Sequence, residues 1–160
     1  MFTKDFEVRW SDIDANRHLA NSAYVNLMSH TRMAFLMAQG FDQKTMVTYK
    51  IGPVAFYEHM YYFKEAFLGN KVKVSLEIMG LSEDGKFFEF HHNFYNHKGE
   101  NIARCEMMGS WISLESRKLT GLAEELMSKF SDLEKGEGFR VLIKEHTREF
   151  LKIPKNLYEL

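Results

Sequence analysis

The spacing of hydrophobic positions changes three times along the chain. Phe6, Val8 and Trp10 alternate with Glu7 and Arg9, the period of a half-buried strand, predicted over residues 2–10. After a polar stretch at 11–18, Ala20, Tyr24, Leu27, Thr31, Ala34 and Ala38 recur at intervals of three and four, with Met28 and Phe35 widening the stripe. That spacing predicts a long helix over 20–38, capped by Asn16 or Asn21 and stopped at Gly40. Gly52-Pro53 breaks the chain. An aromatic-rich strand is predicted over 54–67, with Tyr57, His59, Tyr61 and Phe63 on one face. Gly69-Asn70 marks a turn, after which Val72, Val74, Leu76 and Ile78 alternate with Lys71, Lys73, Ser75 and Glu77. Glu83-Asp84-Gly85-Lys86 reads as a hairpin loop. It leads to a strand over 87–95, a turn over 97–100 and a long last strand over 101–114. Leu122, Leu126 and Phe130 predict a short helix over 121–131. Residues 135–138 read as loop, and 139–160 has weak helical character before Pro154.

The order is strand, long helix, four strands in meander, C-terminal addition. It predicts an α+β fold in which one helix buries its stripe against a mostly antiparallel sheet. Residues 1–114 form that unit, and 115–160 pack on it as an extension. A length of 160 residues, 45% of them hydrophobic and 27% charged, suits one domain with a full core. A net charge of −1 and the lack of a Lys/Arg cluster argue against nucleic acid as partner. Cys105 is the only cysteine, so no intrachain disulfide forms. The first residues lack a signal-peptide core, and no apolar run has membrane-spanning length. A cytoplasmic protein without membrane association is therefore expected.

Candidate chemistry concentrates in Asp12-Ile-Asp14-Ala-Asn16-Arg-His18, a loop between the first strand and the long helix. A carboxylate near a helix start can act as nucleophile or general base, while the free backbone N–H groups there hold a developing oxyanion. Asp14 is the main candidate; the alternative is that Asp12 and Asp14 only cap turns. Asn16 and His18 can orient the carboxylate or water, or serve the turn alone. His91 and His92 are adjacent on a strand, point to opposite faces and cannot share a metal ion there. No metal site and no cofactor are expected. Tyr57, Tyr61 and Phe63 are candidates for an acyl cavity or for ordinary packing. Lys71, Lys73 and Arg104 are candidate phosphate partners or simply solvated side chains.

Residues 8–24, with Asp12, Asp14, Asn16, His18, Asn21 and Tyr24, resemble the active-site segment of hotdog-fold acyl thioesterases of the 4-hydroxybenzoyl-CoA thioesterase type. They are also similar to the Asp-x-Asn-x-His segment of plant acyl-ACP thioesterases. The resemblance continues more loosely through Leu68-Gly69-Asn70-Lys71-Val72 and the following meander. It implies a hotdog fold, an antiparallel sheet of about five strands wrapped around one central helix. It also implies a homodimer or homotetramer built by edge-to-edge pairing, with an acyl-CoA or acyl-carrier-protein thioester bound at the subunit interface. Asp14 matches the catalytic carboxylate, and Asn16 and His18 match the polar residues of the plant-type motif. The backbone N–H near Asn21 matches the group that polarises the thioester carbonyl. Asn21 and Tyr24 are the expected substrate-binding positions. A branch with its acid on the central helix is disfavoured, because no Asp or Glu occurs from Ser22 to Gln39. A hotdog hydratase would carry Asp-x-Asn-Pro-x-His, and the proline is absent here. A non-catalytic acyl-CoA or lipid-binding module and a purely structural dimeric domain are the further alternatives.

Overall fold

A computed structural model describes residues 1–150 and 152–158. The main elements are β1 (Phe2–Glu7), α1 (Asn21–Ala38), α2 (Gln43–Tyr49), β2 (Ile51–Tyr62), β3 (Lys71–Ser82) and β4 (Phe87–Tyr95). They are followed by β5 (Asn101–Ser113), β6 (Leu119–Thr120), α3 (Glu124–Ser131) and β7 (Lys135–Leu142). Five strands form the main path of the sheet in the order β1-β3-β4-β5-β2; β6 joins β5, and β7 joins β3. All pairings are antiparallel except β3–β7. The sheet wraps α1, which is the hotdog architecture expected, with two strands of the C-terminal addition extending it.

The alternation of β3 has the expected effect. Val72, Val74, Leu76 and Ile78 are buried, beside Phe88, Phe90 and Phe94 of β4 and Ala103, Cys105 and Met107 of β5. Tyr24, Leu27, Met28, Thr31 and Phe35 of α1 are buried with them. Tyr24 meets Phe94 edge-on at 5.1 Å, and Phe35 meets Phe90 at 5.9 Å. Each such side chain contributes about 1.5–3 kcal/mol by leaving water. Thr31 is tolerated inside because its Oγ1 donates to the Leu27 carbonyl at 2.9 Å. Gly109 is needed for a different reason. A Cβ there would lie 2.4 Å from the Phe88 ring and 2.7 Å from the Val54 carbonyl oxygen.

Several sequence expectations need correction. Trp10 is not on the first strand. It opens a 3-10 turn, Trp10–Asp12, and is 78% exposed. Gly52-Pro53 does not interrupt the chain but lies inside β2, where Pro53 pairs with Trp111. β2 is an outer strand of the sheet, where proline is tolerated. The same strand ends at Tyr62 rather than Phe67, because Phe63 and Lys64 both turn their N–H groups to the Ile102 carbonyl. α2 was not anticipated; the Asp42 side chain caps it by accepting from the Thr45 N–H at 2.8 Å. Residues 135–138 are not a loop. They begin β7, which takes the part of the β3 edge, Ile78–Ser82, that β1 leaves free beyond Leu76. The α1 cap is neither Asn16 nor Asn21 but Ala20, in extended conformation. Ala20 is held extended because the N–H groups of Leu19 and Ala20 donate to the carbonyls of Ala66 and Asp12.

Candidate active site

The loop between β1 and α1 is a small hairpin of its own. Ile13 and Leu19 form a β-bridge, the Asp14 N–H donates to the His18 carbonyl at 2.9 Å, and Arg17 donates back to the Asp14 carbonyl at 3.0 Å. Arg17 closes the turn with φ of 65°, a left-handed conformation. Asp14 sits at the head of this turn. Its Oδ1 accepts from the backbone N–H groups of Asn16 at 2.8 Å and His18 at 3.2 Å. These two bonds hold the carboxylate in one orientation, while Oδ2 accepts no hydrogen bond among the described residues. Asn16 therefore serves Asp14 through its main chain, as does His18.

The imidazole of His18 points elsewhere. Its Nε2 lies 3.3 Å from Glu65 Oε1, and its ring stands edge-on to Phe67 at 5.3 Å. Residues 66 and 67 are brought here by pairing with the loop, through His18–Phe67 and the Leu19 N–H to the Ala66 carbonyl at 2.7 Å. A cavity of about 320 Å³ results, lined by Asp14, His18, Asn21, Tyr24, Tyr62 and Glu65 among others. Four of the five expected site residues thus face one space; the side chain of Asn16 does not line it. Tyr24 is buried, edge-on to Tyr62 at 5.2 Å, and burial pushes its hydroxyl up to about 12. Its phenol is neutral at physiological pH.

The first turn of α1 leaves one backbone N–H without a partner among the described residues. Ala23 and Tyr24 both donate to the Ala20 carbonyl, and Ser22 donates to Asn21 Oδ1 at 2.9 Å. The N–H of Asn21 makes no hydrogen bond among the described residues. Asp14, with one carboxylate oxygen free, and Asn21, with its N–H unoccupied, therefore line the same cavity. On the other side of Asp14 a second cavity, about 630 Å³, is walled by Trp10, Ile13, Arg17, Phe67 and Leu68. A third large space, where β1 and β7 meet on β3, contains none of these residues.

Asp12 belongs to the frame of the loop. Its carboxylate accepts from the Arg9 N–H at 2.9 Å and from the Arg9 guanidinium at 3.0 Å. The guanidinium hydrogen bond, helped by the backbone bond, holds the Asp12 carboxyl below the usual carboxylate range against the opposing effect of burial. A lowered folded-state value means that this contribution to stability is complete above about 3.9, the unfolded value. It is lost as the pH falls through the lower folded value. Thermal unfolding followed between neutral pH and about pH 3 should therefore show a shallower acid loss of stability in Asp12→Asn than in wild type. Equal slopes would remove Asp12 from the account.

Other sequence candidates lie elsewhere. Tyr57 stacks on His59 and meets Phe150, and Tyr61 is half exposed. The inward face of β2 is instead Glu58, Met60 and Tyr62, by their register with Met107, Cys105 and Ala103. Phe63 does line the Asp14 cavity. His91 and His92 take opposite faces. His91 lies between Glu89 and Arg104, whereas His92 lies under α1 with Nδ1 2.9 Å from the Ser75 carbonyl oxygen. Lys73 is paired with Asp5, and Arg104 with Glu106. Among the described residues no three His, Cys, Asp or Glu side chains are grouped to hold a metal ion. No helix there is long and apolar enough to cross a membrane. Glu65 and Tyr62 were missed in the sequence. Glu65 carries no local signal, since only the pairing of the loop with Ala66 and Phe67 brings it to His18.

A family model described as the thioesterase-like superfamily matches residues 8–130. No curated protein matches the sequence significantly. Among solved structures, a Staphylococcus aureus protein in complex with CoA superposes with a TM-score of 0.75 at 21% identity, over 89% of this chain and 94% of that one. A 1,4-dihydroxy-2-naphthoyl-CoA thioesterase from Synechocystis gives 0.72 at 16% identity, over 82% and 96%. A DHNA-CoA thioesterase from Staphylococcus aureus gives 0.74 at 17% identity, over 95% of each chain.

Proposed function

This chain belongs to the thioesterase-like superfamily and is a thioester hydrolase, and from that premise we propose that it cleaves acyl-CoA thioesters with Asp14 as the reacting carboxylate. The observation that carries this reading is that Asp14, whose Oδ2 is free, and Asn21, whose N–H is unoccupied, line one cavity. In one form of the step, Asp14 attacks the thioester carbon, the C–S bond breaks, and CoA leaves as a thiol after protonation. Water then hydrolyses the acyl-aspartyl anhydride. In the other form, Asp14 removes a proton from water as that water attacks the same carbon. Either way the carbonyl oxygen gains negative charge, and the Asn21 N–H with the positive end of α1 is the fitting donor. Glu65 holds the His18 imidazole at the cavity rim, where it positions the bound thioester or water. Purified protein incubated with a panel of acyl-CoAs should release free thiol. Label found in Asp14 after a single turnover in ¹⁸O-labelled water would identify the nucleophile route, with water attacking the aspartyl carbonyl of the anhydride. No thiol release from any acyl-CoA would overturn the substrate assignment.

A homodimer is the assembly this reading expects. The outer edge of β2 has no partner strand among the described residues, and Phe56 and Tyr61 of that strand are exposed aromatics. An open edge with apolar side chains favours pairing with a second copy. Sedimentation should give about twice the 18.8 kDa chain mass; a monomer alone would exclude that assembly.

A further inference from the structure

The seam between α1 and β2 begins at the Asp14 cavity. Tyr24 of α1 meets Tyr62 of β2 at that cavity. Two turns further along α1, Arg32 meets Glu58 of β2, Nη2 to Oε1 at 3.3 Å. Positions 24, 28 and 32 share one helix face, and 62, 60 and 58 share one strand face. The helix and the strand thus run side by side, joined at both ends, with Met28 and Met60 between. Ala103 and Cys105 of β5 stand next to Tyr62 and Met60 in the sheet. Small residues on the neighbouring strand and methionines on the helix and β2 make a strip that re-packs readily around an apolar guest. Val25 and Met60 are only partly buried, so the strip is not sealed from the side.

Arg32 and Glu58 end it firmly. Arg32 Nη2 also reaches Ser29 Oγ at 3.2 Å, and Nη1 lies 3.3 Å from Met107 Sδ. The two side chains are only 15% and 25% exposed. An alkyl chain that reached them would have to break the pair or strip its remaining water, and a half-buried charge left unpaired is strongly disfavoured. We propose that the α1–β2 strip receives the acyl chain and that the Arg32–Glu58 ion pair sets its length limit, which makes unsubstituted medium-chain acyl groups the preferred substrates. This inference rests on the thioesterase reading above. Eight residues of helix at 1.5 Å each span about 12 Å, which takes on the order of eight to ten carbons beyond the Tyr24–Tyr62 contact.

Binding tests the limit without needing turnover. S-alkyl-CoA thioethers of increasing chain length should bind wild type roughly fourfold more tightly per added methylene until the strip is full, then gain nothing. In the Arg32→Met/Glu58→Met double variant the break should move to longer chains, whereas Arg32→Lys should leave it in place. Met60→Phe, which fills the strip without touching the ion pair, should move the break to shorter chains and serves if the double variant does not fold. A wild-type series with no break, or a break unmoved by the double variant and by Met60→Phe, would overturn the inference. Wild type that shows the break yet releases no thiol from acyl-CoAs would leave the strip standing and instead overturn the thioesterase reading.

Discussion

Asp14→Asn should lower kcat for acyl-CoA hydrolysis by about 10²–10⁴-fold, the range for loss of a reacting acid or base. The substitution keeps size and the acceptor role of Oδ1, so the bonds from the Asn16 and His18 N–H groups survive. The hairpin, the Asn21 N–H and both flanking cavities should then remain as they are. What disappears is the nucleophilic or proton-accepting oxygen. KM should change much less than kcat, because the cavity walls are untouched and the lost interaction belongs to the transition state. Free-thiol release under saturating acyl-CoA measures this directly. A variant that keeps a tenth or more of the activity would mean that Asp14 only shapes the turn.

Phe130→Ala should cost about 3–5 kcal/mol of stability, the usual range for emptying a buried aromatic site. Phe130 is fully buried and lies 4.9 Å from Phe41, which stacks on Trp111 at 5.3 Å. Trp111 in turn packs against Phe88. These four aromatics join α3 to α1's C-terminal end and to the sheet, so little room exists for collapse around the missing ring. For a chain of this size each kcal/mol lowers Tm by roughly 2–4 °C, giving a drop on the order of 10 °C. The unfolding should stay a single transition, since we propose that the C-terminal extension is part of one cooperative unit. A separate early transition, with the remaining melt unchanged, would show instead that the extension folds by itself.

The long helix and the β3–β4–β5 meander were legible because their signals are local. Val72, Val74, Leu76 and Ile78 alternate without interruption, and Tyr24, Leu27, Thr31 and Phe35 keep the helical interval. Both patterns report burial on one face whatever lies opposite. Gly40, Gly85 and Gly99 marked chain reversals correctly, and each has a positive φ. Trp10 was misplaced because alternation does not say where a strand ends; the Arg9–Asp12 interaction turns the chain before Trp10 can point inward. β7 was missed because Lys135–Leu142 is broken by two glycines and its apolar residues do not alternate along its length. It is a strand only because β3 offers it an unfilled edge. Of the candidate site, Asp14, His18, Asn21 and Tyr24 were found from a single short segment. Asn16 was also found there, though its contribution is a backbone N–H rather than the side chain that drew attention to it.

By itself, then, the sequence determined the placement of a carboxylate one hairpin ahead of an acid-free helix, because capping, turn chemistry and helical period all act over a few residues. The tertiary structure alone decided what surrounds that carboxylate. It turned His18 toward Glu65, chose Glu58, Met60 and Tyr62 as the inward face of β2, and set Arg32 against Glu58 at the far end of the strip. Those outcomes depend on which hydrogen-bonding edges and apolar faces remain open once the sheet has formed, and such leftovers leave no trace in local spacing.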